Sequence, residues 1–215
     1  MTLRSRPTPL LRLALLAALL GALPGRASAG GLDLRLQAWG GVSRYDVRGL
    51  KAGLPSQGRD LLQSDMNVYG GSLLLAAGAL DLGLLYEGGL VRHRTDTAVL
   101  TPLVGLGFDL GESLRIDLLA ELGGHQVSNV QFSGGVDVTQ AKAVWLPYAG
   151  LRPTLSLRLP AAHPSVILSV APFARWDLIR TTTTVTLGQG TAVTTGSYEL
   201  GGSTFGVVAG AGIEF

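Results

Sequence analysis

From Leu32 onward the chain sets apolar side chains at alternate positions and small or polar ones between them. Leu32, Leu34, Leu36 and Ala38 share one face, and Asp33, Arg35, Gln37 and Trp39 the other. A period of two is the signature of a β-strand with chemically different faces. The same alternation predicts strands over about Met66 to Ala77, Leu80 to Val91, Thr97 to Phe108, Leu114 to Gly123, Ala143 to Leu159, Val166 to Leu178 and Ser203 to Phe215. The fifth decides against a helix: Arg115, Asp117 and Glu121 fit period two and scatter around a helical wheel. In the last, Phe205, Val207, Ala209, Ala211, Ile213 and Phe215 oppose Thr204, Gly206, Val208, Gly210, Gly212 and Glu214. Such segments match the roughly 9 to 11 residues with which a tilted strand crosses a bilayer.

The predicted connections alternate in length. Gly78-Ala79, Asp109 to Ser113 and Pro160 to Pro164 are short turns. Residues 42 to 65 read as a long loop, and residues 125 to 142 as a hairpin with Ser133-Gly134-Gly135 at its tip. The seventh strand runs on through Thr181 to Leu187, turns at Gly188-Gln189-Gly190 and returns through Thr191 to Tyr198. Only the polar link Arg92 to Asp96 breaks the alternation. Eight strands so connected predict an all-β fold, a closed antiparallel transmembrane β-barrel of up-and-down topology with both ends in the periplasm. Pro147, Pro153 and Pro172 make the strand ends around them harder to place, since each deletes a ladder donor.

Composition bears on compartment. Met1 to Ala29 has Arg4, Arg6 and Arg12, an apolar run Leu13 to Leu20, and Ala27-Ser28-Ala29, the pattern of a secretory signal peptide. Cleavage near Ala29 leaves residues 30 to 215 as the barrel domain. The leader holds four of the 17 basic residues and none of the 15 acidic ones, so the remainder carries 13 minus 15, or −2. That balance removes any electrostatic case for nucleic acid. With no cysteine there is no lipoprotein anchor, disulfide or thiolate metal site. No apolar run after the leader reaches 18 residues, so helical spans are not expected. The alternative fold, a soluble periplasmic sandwich or barrel, would have to bury a charged sheet face.

The tail from Phe205 to Phe215 resembles the C-terminal signature of bacterial outer-membrane barrels, a terminal Phe preceded by hydrophobics at alternate positions, which the barrel-assembly machinery reads. As a pattern, the whole mature chain resembles the small eight-stranded OmpA-like or OmpX-like barrels, without the periplasmic domain of their two-domain members. This resemblance implies the outer membrane, with outer-membrane lipid and lipopolysaccharide as surroundings and an extracellular or envelope protein as a possible partner. Phe108 and Phe215 are expected in an aromatic girdle on the periplasmic side, and Tyr69, Trp145, Trp176 and Phe205 on the outer side. The inward face collects Arg35, Arg115, Arg152, Arg158 and Arg175 against Asp33, Asp81, Glu87, Asp117, Glu121 and Asp177. In an eight-stranded barrel these should pair and fill the lumen, with Gly206, Gly210 and Gly212 making room for the arginines.

Candidate chemistry is sparse. His125-Gln126-Val127-Ser128-Asn129 is similar to the His-x-Ser-Asn motif of lipid A 3-O-deacylases, but one residue too long. In a strand His125 and Ser128 then point to opposite faces, and the nearest carboxylate, Glu121, is luminal. His93 and His163 fall in loops on opposite sides of the membrane, so no three-histidine metal site is expected, and no cofactor motif is present. The expected role is structural or one of surface interaction: envelope integrity, adhesion or a scaffold. A lipid A-modifying hydrolase is the alternative, and a narrow solute channel a third. The Thr181 to Thr195 hairpin offers either a rigid extension of the wall or an edge for a partner.

Overall fold

The computed structural model describes residues 31–45, 65–91, 95–128, 137–140, 143–159, 164–189 and 192–215. The signal peptide expected over Met1 to Ala29 lies outside them. The described residues form eleven strands: β1 Leu32–Tyr45, β2 Asp65–Ala77, β3 Leu80–Val91, β4 Thr95–Leu110, β5 Leu114–Ser128, β6 Asp137–Gln140, β7 Val144–Leu159, β8 Ser165–Asp177, β9 Thr181–Gln189, β10 Ala192–Leu200 and β11 Ser203–Glu214. Eight of them close a barrel in the order β1-β11-β8-β7-β5-β4-β3-β2, each paired antiparallel with its neighbours. No helix among the described residues is long and apolar enough to cross a membrane.

The register fixes the geometry of closure. Cα partners lead from Arg35 through Leu74, Gly83, Leu103, Glu121, Gly150, Arg175 and Thr204 back to β1 at Tyr45. The circuit returns displaced by 45 minus 35, or ten residues. With eight strands, that stagger tilts the strands by about 40° and gives a backbone radius of about 8 Å. Side chains can fill such a space.

Polarity is inside out. Along β7, Trp145, Leu151, Leu155 and Leu157 stand exposed, while Arg152, Thr154 and Ser156 between them are buried. Leu73, Leu82, Leu84, Leu100, Val104, Leu122, Leu168 and Val207 continue the exposed apolar belt around the wall. A contiguous band of this kind is unsupportable in water and is what a hydrocarbon surround requires. The charged interior excludes the sandwich alternative.

Strand limits differ from expectation mostly at the end carrying the longer connections. β1 runs through Val42, Ser43, Arg44 and Tyr45, expected as loop, because β11 and β2 supply ladder partners on both sides. β4 starts at Thr95 and β5 reaches Ser128, extending each other past the expected ends. Of the hairpin expected over residues 125 to 142, His125 to Ser128 belong to the barrel, whereas Asp137–Gln140 pair with β9. The tip expected at Ser133 to Gly135 lies outside the described residues. β10, β9 and β6 thus make a separate three-stranded sheet. Gly188 and Gln189, expected in a bend, are strand residues opposite Val193 and Ala192, and Gly190 lies outside the described residues.

The short turns at Gly78 and Gly111 use positive φ, 61° and 81°, as tight hairpins demand. The prolines are absorbed without a register shift. On both sides of a gap in the β7–β8 ladder the pairing is the same, from Leu151↔Ala174 to Leu155↔Val170. This sets Pro153 opposite Pro172, so two missing donors share one interruption.

Candidate functional site

The strand pleat turns ten of the charged residues expected on the inner face inward, where they separate into two networks and a hub; Asp33, half-exposed near the start of β1, has no place in these. The first is a quartet. Arg152 Nε donates to Glu121 Oε1 at 2.6 Å and its Nη2 to Glu87 Oε2 at 2.7 Å. Arg175 Nε donates to Glu121 Oε2 at 2.5 Å and its Nη1 to Glu87 Oε1 at 2.6 Å. Two guanidiniums and two carboxylates close a square in which each group serves both opposite charges. All four are buried. Phe173 lies 4.7 Å from the Arg152 guanidinium and 4.4 Å from that of Arg175. Trp39 covers Arg152 and Tyr148 covers Arg175, each at 5.3 Å. These aromatic faces add a cation–π attraction where water is excluded.

The second network stands near the short-turn end. Arg35 reaches Glu214 at 2.5 Å and Asp117 at 3.2 Å. Arg115 reaches Asp117 at 2.6 Å, Asp81 at 2.8 Å and Asp109 at 3.3 Å. Arg158 reaches Asp109 at 2.9 Å and Glu214 at 2.6 Å. Asp109 and Glu214 were not expected here. Asp109 read as the first residue of a turn and Glu214 as the polar tail of the last strand, although its parity with Gly210 and Gly212 was the signal available.

An apolar cluster of Leu74, Leu85, Val99, Leu103, Leu119 and Tyr148 packs in the same lumen. Beside it is a void of about 10 Å³, lined by residues that include Gln37, Trp39, Ser72, Leu74, Arg152 and Thr154. That is room for about one water and for no larger solute. Room for the arginines comes from glycines other than those expected. A Cβ on Gly107 would meet the Arg115 guanidinium and Asp117, and one on Gly150 would lie 3.0 Å from Arg175 Cγ. Gly206, Gly210 and Gly212 instead seat Phe173, Trp39 and Gln37. The register explains this: Gly206 lies opposite Phe173, Gly210 opposite Trp39 and Gly212 opposite Gln37, whereas Arg175 and Arg35 of the same neighbouring strands face Thr204 and Glu214.

The hub is at the long-loop end, around Asp177. Its Oδ1 lies 2.8 Å from His125 Nε2, and its Oδ2 accepts from Tyr45 Oη at 3.1 Å and from the Gly202 amide at 2.8 Å. Tyr45 Oη in turn accepts from the Gly201 amide at 3.0 Å. Gly201 has φ 124°, at the joint where the β9–β10 hairpin leaves β8 and β11. His125 packs tilted against Tyr45 and edge-on to Tyr148, whose hydroxyl meets Thr101. Tyr45 escaped the sequence pattern because it sits past Gly40 and Gly41, where the alternation fades.

Two of the hydrolase candidates, His125 and Glu121, are held in luminal contacts. His125 is luminal and engaged with Asp177, 52 residues away. Glu121 is committed to two arginines. Ser128 ends β5 opposite Asp96, and its side chain lies outside the described residues, as do His93 and His163. Among the described residues no group of three metal-ligating side chains gathers.

The expected girdle is sorted by end. Tyr69, Trp145, Trp176 and Phe205 are exposed on the outward face in the half toward the long connections, with Trp176 and Phe205 edge-to-face at 6.2 Å. Phe215 is exposed at the short-turn end, and Phe108 there is half-buried. The outward residues of the tail, Phe205, Val207, Ala209 and Ala211, are exposed, and Ile213 is half-buried.

No protein-family model and no curated protein matches the chain. Among solved structures it is similar to the N-terminal β-barrel domain of Pseudomonas aeruginosa OprF at 14% identity, over 86% of this chain and 99% of that one, with a TM-score of 0.45. It is also similar to the outer membrane protein OprG from Pseudomonas aeruginosa, at 12% identity, 86% and 97% coverage and a TM-score of 0.45. The outer membrane protein AlkL in DMPC lipid bilayers matches at 14% identity, 89% and 94% coverage and a TM-score of 0.41. The chain's own closure, strand count and inside-out polarity make it a small eight-stranded β-barrel of the outer-membrane kind.

Proposed function

We propose that the protein is an integral outer-membrane barrel that conducts no solute and serves as a structural or surface-interaction element of the envelope. The observation that carries this is the lumen: both charge networks and the apolar cluster occupy it. A pathway for a solute would require at least four buried Arg–carboxylate bonds of the quartet to open together. In a planar bilayer the purified barrel is expected to give no steady single-channel conductance. A stable conducting level would overturn the closed-lumen reading.

The surface role is supported by the sheet of β6, β9 and β10, built from strands that leave the barrel at its long-loop end. In that sheet β10 has a neighbour on one side only among the described residues, and Ala192–Leu200 carries a single charged residue, Glu199. An edge with so little charge lacks the usual protection against added strands and suits pairing with a segment of another envelope protein. Deleting residues 181 to 200 should leave a heat-modifiable barrel and abolish partner capture from outer membranes. Lipopolysaccharide and the assembly machinery reading Phe215 belong to the same proposal, with signal-peptide cleavage near Ala29 delivering the chain.

A further inference from the structure

The network near the short-turn end is unbalanced. Arg35, Arg115 and Arg158 face Asp81, Asp109, Asp117 and Glu214, so four carboxylates share three guanidiniums. Asp33 stands two residues from Arg35 on β1, half-exposed, and adds no positive charge. The shortfall is localised by counting partners. Asp117 holds Arg35 and Arg115, Asp109 holds Arg115 and Arg158, and Glu214 holds Arg35 and Arg158. Asp81 holds Arg115 alone, through Oδ1.

Asp81 is also the residue least able to remain charged. It is 0% exposed, and its Oδ2 has no hydrogen-bond partner among the described residues. An isolated buried charge is among the most expensive groups in a low-dielectric interior, and neutralisation is its ordinary resolution.

We infer that the lumen binds one exchangeable proton at Asp81, carried on the free carboxyl oxygen. The proton comes from solvent and returns to it, with no other bond made or broken. The partly exposed groups Asp109, Glu214 and Arg158, at 12, 12 and 18% side-chain exposure, connect the site to water at the short-turn end. With the proton in place the network is three against three, matching the two-against-two of the quartet. The inference stands apart from the proposed surface role, since it concerns only the barrel interior.

Infrared difference spectroscopy of the barrel in lipid vesicles at neutral pH tests it. Wild type should show the carbonyl stretch of one protonated carboxylic acid, shifted in D2O. Asp81→Asn, which mimics the neutral acid in shape, should assemble with normal heat-modifiability and lose that band. Asp177→Asn should keep it. No acid band in wild type, or a band that survives Asp81→Asn, would overturn the proposal. If Asp81→Asn fails to assemble, solid-state NMR of wild type labelled with ¹³C-aspartate decides: one protonated side-chain carboxyl is expected, and aspartates all in the carboxylate range refute the site. A missing acid band together with sodium-dependent thermal stability would mean a monovalent cation fills the role, and would also refute it.

Discussion

The quartet and the network near the short-turn end answer the same physical problem with different arithmetic. Both take arginines and carboxylates out of water, and both hold them at 2.5 to 3.3 Å. The quartet closes on itself, two charges of each sign, each group bonded to both opposites and walled by Trp39, Tyr148 and Phe173. The other network has one carboxylate too many and touches solvent through its outer members. The difference teaches that pairing alone does not make a buried charge tolerable; the local sum must also vanish. Where side chains supply the balance the network can be sealed, and where they do not it needs a route to water.

The largest test of that contrast is Glu121→Ala. It takes one carboxylate from both Arg152 and Arg175 and leaves two guanidiniums on Glu87, a net positive charge in a sealed site. A loss of about 3–5 kcal/mol is expected, the range for breaking a buried pair by removing one partner. Urea unfolding in lipid vesicles measures it. A loss no greater than that of an ordinary surface substitution would remove the quartet from any account of barrel stability.

Gly107→Ala strikes the other network without altering its charge. The added methyl occupies space now held by the Arg115 guanidinium, which cannot move without releasing Asp81, Asp109 and Asp117. Overpacking of this kind costs about 1–3 kcal/mol. The same unfolding measurement should place it below Glu121→Ala, because no charge is removed and this network touches solvent through its outer members. If the two are reversed, crowding and not charge balance governs the lumen.

Much of this was legible in the chain and some was not, for physical reasons. Lipid outside and paired charges inside impose opposite demands on successive residues, so period two survives along Leu114 to Gly123 and Ser203 to Phe215 without tertiary information. That was enough to assign Arg35, Asp81, Glu87, Arg115, Asp117, Glu121, Arg152, Arg158, Arg175 and Asp177 to the lumen. Which of them meet was not legible, because partners such as Arg175 and Glu87 lie 88 residues apart and are joined by the ten-residue stagger of the whole barrel. The outer sheet was not legible for the same reason: Asp137–Gln140 pair with β9, whose residues Val185 to Gly188 lie far along the chain. Asp109, Glu214 and Tyr45 sit where strands end and the alternation no longer has neighbours to confirm it.

Asp109→Asn should do much less than either change above. It removes a negative charge, which the network makes good by giving up the proton on Asp81, and both its arginines keep other partners: Arg115 retains Asp81 and Asp117, and Arg158 retains Glu214. The amide oxygen can still accept a hydrogen bond. A change within about 1 kcal/mol is expected, with hydrogen bonding weakened and charge balance kept. A loss as large as that of Glu121→Ala would show that the two networks are equivalent and that the count of charges carries no information.

The smallest effect is expected from Arg44→Ala, and it isolates the variable that matters. Arg44 Nε meets Asp65 Oδ1 at 2.6 Å, the same separation as Arg152 Nε to Glu121 Oε1. Chemistry and distance are thus matched, while side-chain exposure is 72% and 70% in the first pair against 3% and 0% in the second. At the surface water solvates each ion whether or not its partner is present, and salt screens what attraction is left. Arg44→Ala should leave the unfolding midpoint of the barrel unchanged at physiological ionic strength, and raising the salt should change wild type and variant alike. Should the exposed pair prove as important as the buried one, bond length would be the governing quantity, and the distinction drawn between sealed and solvent-linked charges in this barrel would fall with it.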